Sequence, residues 1–393
     1  MTLRAPIAVL FTLNAKVLDD GQQVVSLTLD TTGMHVDASS LSMSTFTVHA
    51  EGANPHTLLD SATLMGTFDV DRTVTGVRLD HRGRIVIDLA HGHGTIGAPT
   101  YGWAASEGRD FLLDLTYTVT QQQPIKLTDG TTLTFSSLEQ GRVVDPEGDC
   151  FGSGRSDGLA YRLFEPELTG RGDRPLIVWL HGGGQGGWSG AANNDMPLIA
   201  NRGALGFATP EAQRVFDGAL VLAPQATTAW LDDRQYGYST KLMALIERVS
   251  ARRSIARTRI LLAGASNGGF MTMKLVADNP TRFAAAVPIC PPVAFEGATR
   301  ITDHQLTLMR KTPTWIVQAV NDPMLPFELN GQHAYDVIGN ALLTAYPDVT
   351  YDGVTYDGHW SWSYVAHNHP VNDAGQHVWE WMADQRLQGE SRW

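Results

Sequence analysis

One serine of the chain stands in a setting typical of a catalytic nucleophile. Residues 264–268 read Gly-Ala-Ser-Asn-Gly, after an apolar run and before a helix-compatible segment. A serine at the apex of a strained strand-to-helix turn leaves no room for side chains two residues away, so Gly264 and Gly268 suit a nucleophile elbow at Ser266. The backbone N–H of Asn267 would then point toward an oxyanion formed at the serine. Because the chain has 39 glycines, this motif alone identifies only a candidate.

A glycine-rich loop offers the second oxyanion donor. Residues 181–187 read His-Gly-Gly-Gly-Gln-Gly-Gly and directly follow the apolar run 175–180. Glycines at the end of a sheet strand let backbone N–H groups approach a ligand closely, and we assign this donor to Gly183. His181 is expected to brace the loop rather than to act in catalysis. The alternative is a phosphate-binding loop, but no Gly-Lys-Ser/Thr sequence follows.

An acid and a base follow the serine in chain order. Asp322 comes directly after the apolar run 314–320, in a proline-containing turn, and His359 follows a glycine after the last predicted strand, 349–354. His367 and His369 are the alternatives for the base. In the predicted triad, His359 takes the proton of Ser266 and Asp322 orients the imidazolium. The expected chemistry is acyl transfer to water through a serine ester.

Tryptophans on the loops around these residues are the candidate substrate-binding groups. Trp188 lies beside the glycine-rich loop, Trp230 follows the apolar run 219–224, and Trp360 and Trp362 closely follow the predicted base. We predict that Trp188, Trp230 and Trp360 line an aromatic acyl or alcohol pocket. Ordinary packing of these side chains is the alternative.

The elements needed to position such a site are those of a layered α/β domain. From residue 159 onward, short apolar runs alternate with helical segments, among them 238–252 with apolar residues at helical spacing. Apolar runs of this kind are typical of strands covered on both faces. The pattern predicts a doubly wound, mostly parallel sheet closed by a last helix near 373–385.

The first part of the chain has a different pattern. Residues 1–124 contain short alternating segments separated by turn signals, which predicts an all-β sandwich of immunoglobulin-like type. A polar linker near 120–124 places the domain boundary there, with residues 125–393 as the second domain and a hairpin at its edge near 132–135. His49, His56, His91 and His93 are scattered, so no metal site is predicted.

Composition excludes several classes of protein. The 393 residues carry a formal net charge of −12, without the clustered Lys and Arg that nucleic acids or anionic membranes require. No apolar run is long enough for a membrane span, and residues 6–13 favour a first strand over a signal peptide, so a cytoplasmic location is expected unless an export signal was removed. Cys150 and Cys290 are either bridged or, the simpler reading, two buried thiols.

The elbow, the His-Gly-Gly-Gly-Gln loop and the Gly-His-x-x-Trp sequence around His359 resemble one known family. Residues 125–393 resemble an α/β-hydrolase of the poly(3-hydroxybutyrate) depolymerase and feruloyl esterase-like branch, whose members include esterases with an N-terminal immunoglobulin-like domain. The order Ser, Asp, His is that of α/β-hydrolases. The resemblance implies a serine esterase without metal or cofactor, acting on a small-molecule or polymer ester. The chain lacks the cysteine-rich framework of the secreted polymer depolymerases.

Two other functions are compatible with parts of this pattern. A prolyl-oligopeptidase-like serine peptidase would use the same triad, although about 125 residues are too few for the β-propeller that usually precedes it. A non-catalytic binding protein with a degenerate hydrolase domain would not need all three triad residues. The first domain is also a candidate surface for homo-oligomer formation.

Overall fold

The computed structural model describes residues 7–55, 63–167, 173–188 and 193–387. It divides into two compact units, Met1–Asp149 and Cys150–Trp393, and each is described by itself. His56, one of the scattered histidines, lies outside the described residues.

The first unit is built almost entirely of strands. The elements are β1 (Ala8–Leu18), β2 (Gly21–Leu29), β3 (Phe46–Ala53), β4 (Leu64–Met65), β5 (Phe68–Arg72), β6 (Val74–Leu79), β7 (Ile85–Leu89), β8 (Tyr101–Ala104), β9 (Arg109–Leu112), β10 (Asp114–Gln121), β11 (Ile125–Lys126), β12 (Thr132–Leu133), β13 (Ser137–Val144) and the short helix α1 (Pro146–Asp149). The main sheet has five strands in the order β13-β1-β2-β7-β6, and a three-stranded sheet has the order β10-β3-β5. Alternate residues of β3 are buried, as expected when one face of a strand packs on a core and the other meets solvent.

The first unit continues beyond the boundary predicted at residues 124/125. β13 pairs in parallel with β1, from Ala8 opposite Ser137 onward. β12 pairs with β11, not with a strand of the second unit. The prediction of a hairpin belonging to the next domain is therefore wrong, and the boundary lies after Asp149. The polar linker near 120–124 is an internal connection, because strand partners far away in sequence hold the segment that follows it.

The second unit contains the alternating strands and helices expected from the sequence. Its strands are β14 (Phe151–Ser156), β15 (Leu159–Phe164), β16 (Arg174–Leu180), β17 (Leu220–Gln225), β18 (Ile255–Ala265), β19 (Ala285–Ile289), β20 (Ala294–Phe295), β21 (Ala298–Thr299), β22 (Trp315–Ala319), β23 (Leu342–Tyr346), β24 (Val349–Tyr351) and β25 (Val354–Tyr356). Its α-helices are α2 (Met196–Ile199), α3 (Gly203–Ala208), α4 (Pro210–Phe216), α5 (Asp233–Tyr236), α6 (Tyr238–Arg252), α7 (Asn267–Asp278), α8 (Asp303–Leu308), α9 (Gly331–Ile338), α10 (Trp362–Ala366) and α11 (Val378–Asp384).

An eight-stranded sheet forms the centre of the second unit, in the order β14-β15-β17-β16-β18-β19-β22-β23. The first two strands are antiparallel to their neighbours, and the other six run parallel to one another. Every residue of β17, β19 and β22 is buried, because helices cover both faces of the sheet. The prediction of a doubly wound, mostly parallel sheet is confirmed. Among the described residues, no helix combines the length and the apolar character needed to cross a membrane.

The last strand of this sheet differs from the one predicted. β23 pairs in parallel with β22, whereas residues 349–356 form the separate hairpin β24–β25. The turn of that hairpin is Asp352-Gly353, where both residues have positive φ, 49° and 79°. The predicted base therefore follows a hairpin that lies beyond the sheet, not a sheet strand.

Candidate active site

Ser266 occupies a strained turn between β18 and α7. Its φ is 53° and its ψ −117°, a conformation that a non-glycine residue rarely adopts. A Cβ on Gly268 would lie 1.9 Å from the carbonyl oxygen of Leu180, and one on Gly264 would lie 2.5 Å from the Gly268 carbonyl oxygen. Both distances are too short for a real side chain, so the steric reason given for the two glycines is confirmed.

The two predicted oxyanion donors lie next to each other. Asn267 is the first residue of α7, so its N–H is among those that have no acceptor within the helix. The Asn267 side-chain Oδ1 accepts a hydrogen bond from the Leu231 N–H at 3.1 Å, which holds the asparagine side chain in place. A Cβ on Gly183 would lie 3.8 Å from the Asn267 Nδ2, so the glycine-rich loop passes over the start of the helix. This arrangement is compatible with an oxyanion hole of Gly183 and Asn267, which stays a prediction.

His181 holds the glycine-rich loop from within. Its side chain is buried, and Nε2 accepts from the Ala226 N–H at 3.1 Å. A nitrogen that accepts carries no proton, so Nδ1 bears it and donates to the Gly182 carbonyl oxygen at 2.6 Å. The ring is thereby fixed as one neutral tautomer whose two nitrogens are both engaged. The expected bracing role of His181 follows from these contacts.

Trp230 does not line a pocket. It is fully buried, and its Nε1 donates to the His181 carbonyl oxygen at 3.1 Å. Its ring lies 4.8 Å from that of His181 and packs edge-on against Tyr238. The prediction that it contacts substrate is therefore wrong, because it supports the glycine-rich loop from the core side.

The other tryptophans near the site retain partial exposure. Trp188 and Trp360 are half-buried, as is Trp362. Trp362 meets the ring of His359 edge-on at 5.6 Å, and Trp360 is stacked on Trp362 at 6.0 Å. Trp188 and Trp360 thus stay candidates for substrate contact, and Trp362 joins them.

Asp322 and His359 form a buried hydrogen-bonded pair. His359 Nδ1 lies 2.9 Å from Asp322 Oδ2, and their side chains are 8% and 0% exposed. The other carboxylate oxygen of Asp322 accepts the backbone N–H groups of Met324 and Leu325, both at 2.9 Å. These bonds fix the carboxylate and leave Nε2 of His359 as the nitrogen that can take a proton.

The competing histidines are engaged elsewhere. His367 is stacked on Tyr351 at 4.2 Å, and His369 lies edge-on to the same tyrosine. Burial and the neighbouring histidines lower the pKa of His369. The structure therefore favours His359 among the three.

Two buried polar residues position this pair, and the sequence reasoning did not select them. Gln318 donates to the Leu325 carbonyl oxygen at 2.7 Å and accepts from the Gly331 N–H at 2.9 Å, which fixes the loop around Asp322. Ser361 Oγ accepts from the Ala319 N–H at 2.9 Å and ties the His359 loop to β22. A glutamine inside the apolar run 314–320 was the available signal for Gln318. No sequence signal marks Ser361, because its partner Ala319 is distant in sequence.

Cys290 lies between the elbow and the acid–base pair. It follows β19, is fully buried and has a φ of 35°. Burial raises the pKa of its thiol well above the ordinary value, and nearby Asp322 raises it further, against the opposing effect of the Ser266 amide. A protonated thiol is a poor nucleophile, so Ser266 stays the candidate for that role. Cys150 is exposed, and neither cysteine is in a disulfide, so only one of the two is a buried thiol.

Two family models each match a part of the chain. Residues 11–134 match the model of the esterase Ig-like N-terminal domain, and this match also runs past residue 124. Residues 229–326, which include the elbow and Asp322, match the model of the prolyl oligopeptidase family. No curated protein sequence matches the chain significantly.

Comparison with solved structures establishes the fold. A thermostable esterase matches with a TM-score of 0.77 at 23% identity, over 96% of this chain and 99% of that one. Est1E from Butyrivibrio proteoclasticus matches with a TM-score of 0.40 at 14% identity, over 55% of this chain and 94% of its own. S-formylglutathione hydrolase from Staphylococcus aureus matches with a TM-score of 0.41 at 15% identity, over 60% and 95%. The first of these matches shows that the chain shares the fold of that esterase, with a doubly wound sheet of α/β-hydrolase type that follows an immunoglobulin-like domain.

Proposed function

We propose that this protein hydrolyses carboxylic esters through a covalent acyl-enzyme on Ser266. The observation that carries the proposal is the pairing of two features that follow the ends of two parallel strands of one sheet, with β19 between them. A serine held at φ 53° follows β18, and a buried His359–Asp322 hydrogen bond of 2.9 Å lies beyond β22. Strained backbone of this kind concentrates at functional sites, and the histidine–carboxylate bond is what a general base requires.

In the proposed first step, His359 Nε2 takes the Ser266 hydroxyl proton as Oγ attacks the ester carbonyl carbon. The N–H groups of Gly183 and Asn267 donate to the oxyanion that forms, and Asp322 stabilises the imidazolium. The bond to the alcohol oxygen then breaks, and His359 returns the proton to that leaving group. Water, deprotonated by the same imidazole, releases the acid and restores the serine.

The substrate class is proposed from the loops around the serine. Trp188, Trp360 and Trp362 offer half-buried aromatic surface, which suits an aromatic or short acyl group. Trp362 contacts the proposed base directly, so a group bound against it would lie close to the reacting carbonyl.

A serine peptidase is the second candidate, because residues 229–326 match the prolyl oligopeptidase family. The first domain favours the esterase, since it matches an esterase-type immunoglobulin-like domain. Parallel assays with nitrophenyl esters and with nitroanilide peptides distinguish the two functions. We expect turnover of the esters, and a clear preference for the peptides would reject the proposal.

The matched test of the nucleophile uses the two ends of one strand. Ser266→Ala, at the carboxyl end of β18, should lower kcat/KM for nitrophenyl acetate by several orders of magnitude. Ser254→Ala changes an exposed serine just before the same strand begins and should leave the rate unchanged. Parental activity in Ser266→Ala would contradict the proposed function.

A further inference from the structure

Cys290 is a buried, potentially metal-binding group that the proposed mechanism does not use. It follows the strand between the nucleophile strand and the acid strand, and its backbone N–H donates to the Val317 carbonyl oxygen at 2.8 Å. Its positive φ of 35° is uncommon for a residue with a side chain. Strained positions concentrate at functional sites, so this residue requires an explanation.

The thiol belongs to a compact set of three metal-binding side chains. Cys290 Sγ, a carboxylate oxygen of Asp322 and a ring nitrogen of His359 all lie within 4.8 Å of one another, and all three residues are buried. In a tetrahedral zinc site, bond lengths of about 2.0–2.3 Å place ligand atoms about 3.3–3.7 Å apart. The three groups would reach these separations with movements of about an ångström.

The chemistry of the donor set is specific. One thiolate, one imidazole and one carboxylate match the ligands that Zn²⁺ and Cd²⁺ accept, whereas Mg²⁺ and Ca²⁺ prefer oxygen ligands alone. Asp322 is already held by two backbone N–H groups, so one ligand is fixed in place before metal binds. The His359 side chain keeps 8% of its surface exposed, and a water reaching it there would complete the fourth position.

We propose that Cys290, Asp322 and His359 form an inhibitory site for a thiophilic divalent cation. The cation displaces the thiol proton to solvent and bonds to sulfur, to the Asp322 carboxylate and to a ring nitrogen of His359. The acid–base pair is then no longer available to activate a serine. The inhibitory consequence rests on the proposed function, but the binding does not.

Binding is tested with cadmium alone, in protein carrying Cys150→Ser so that the exposed thiol does not contribute. Cd²⁺ titration should produce the ultraviolet band of a cadmium–thiolate bond with one ion per chain. Adding Cys290→Ser should remove the band. Adding Asp322→Asn should weaken binding by more than the roughly 10–100-fold that loss of an outer-shell partner costs. Absence of the band, or a band unaffected by Asp322→Asn, would overturn the proposed site.

A second measurement requires no change at position 290. Zn²⁺ should raise the Tm of the Cys150→Ser protein, because an ion that binds the folded state stabilises it. The rise should vanish in Cys150→Ser with Asp322→Asn, and an equal rise in both proteins would count against the site.

Inhibition is tested separately on ester hydrolysis. Zn²⁺ should inhibit the Cys150→Ser protein reversibly, with activity restored by EDTA, and Cys290→Ser or Cys290→Ala should relieve the inhibition. Equal inhibition with and without Cys290 would overturn the inhibitory role. If no ester is hydrolysed at all, the proposed function fails while the cadmium band still decides the metal site.

Discussion

Each unit contains a histidine hydrogen-bonded to aspartate at nearly the same distance, yet the two settings differ. In the first unit, His49 on β3 lies 2.8 Å from Asp69 and 2.9 Å from Asp71 on β5. In the second, His359 lies 2.9 Å from Asp322. The histidine of the first pair is 47% exposed and its carboxylates 75% and 92%, whereas the second pair is nearly inaccessible to solvent.

The comparison shows that a histidine–carboxylate bond alone does not make a catalytic pair. Solvent screens the charges around His49, and two exposed carboxylates share its ring. Asp322 is fixed by two backbone N–H groups. The Cys290 thiol that lies beside this pair also lies beside the backbone N–H of the strained Ser266. Burial, fixed geometry and a nearby nucleophile therefore distinguish the candidate catalytic pair from a surface ion pair.

The largest expected effect comes from disrupting the buried pair. Asp322→Asn should lower kcat for a nitrophenyl ester by about 10⁴-fold, because the amide no longer supports the required imidazole tautomer. His359→Ala should cost at least as much. The matched control is His49→Ala, which removes the exposed histidine and should leave kcat/KM unchanged. Equal losses in the two histidine variants would show that the comparison is wrong.

The second prediction concerns the elbow next to the buried pair. In Gly268→Ala the new methyl would meet the Leu180 carbonyl oxygen at 1.9 Å, so the glycine-rich loop must move. We expect a loss of about 1–3 kcal/mol in the free energy of unfolding, and displacement of the site should lower kcat/KM by about 100-fold. Thermal melts and ester assays measure both.

A matched glycine on the edge strand of the same sheet controls for this effect. In Gly152→Ala the nearest atom, the Leu163 carbonyl oxygen, is 3.7 Å away, which is an ordinary contact. This variant should resemble the parent protein in Tm and rate. If Gly268→Ala did so as well, the close approach at the elbow would be refuted.

A smaller effect is expected from the side chain that supports Asp322. Gln318→Leu removes the bonds to Leu325 and Gly331 and leaves their backbone groups without partners, at about 1–3 kcal/mol in stability. We expect kcat to fall about tenfold with KM unchanged, since the acid is displaced and the substrate surface is not. Gln332→Leu, at a site bonded to Asp336 on a helix surface, is the control. An unchanged kcat in Gln318→Leu would remove its positioning role.

The smallest effect is the pH dependence of the exposed pair. The hydrogen bond to Asp71 raises the pKa of His49 above its ordinary value of 6.5. A raised pKa in the folded state stabilises the protein below the unfolded-state pKa, and this contribution is lost as pH rises through the folded-state pKa. His49→Gln should therefore lower Tm slightly at about pH 5.5 and leave it unchanged at about pH 8.5. A larger Tm loss at the higher pH would reverse the assigned sign.

The sequence predicts the parts of the site that depend on local chain geometry. The elbow requires small residues at fixed offsets from Ser266, and the proposed acid and base follow it in the order typical of this fold. The elbow and the chain order can therefore both be read from the sequence. The mostly parallel character of the sheet follows from the buried apolar runs in the same way.

What the sequence does not predict are long-range partners. The pairing of β13 with β1 leaves no mark in either strand, so the domain boundary was placed too early. Trp230 and Trp360 are the same residue type on loops of the same domain, and only tertiary packing makes the first a core side chain. The sequence predicts Cys290 only as one half of a disulfide or as a buried thiol, because the sheet and not the sequence brings its metal-binding neighbours to it.

The central claim is that Ser266 is the nucleophile, and trapping its acyl-enzyme tests this most directly. The protein is mixed with nitrophenyl acetate, quenched in acid within one turnover and digested, and the acetylated peptide is located by mass spectrometry. We expect acetyl on Ser266, its loss in Ser266→Ala and its slower formation in His359→Ala. Acetyl on Cys290 or another residue, or ester turnover without any acyl-enzyme on Ser266, would contradict it.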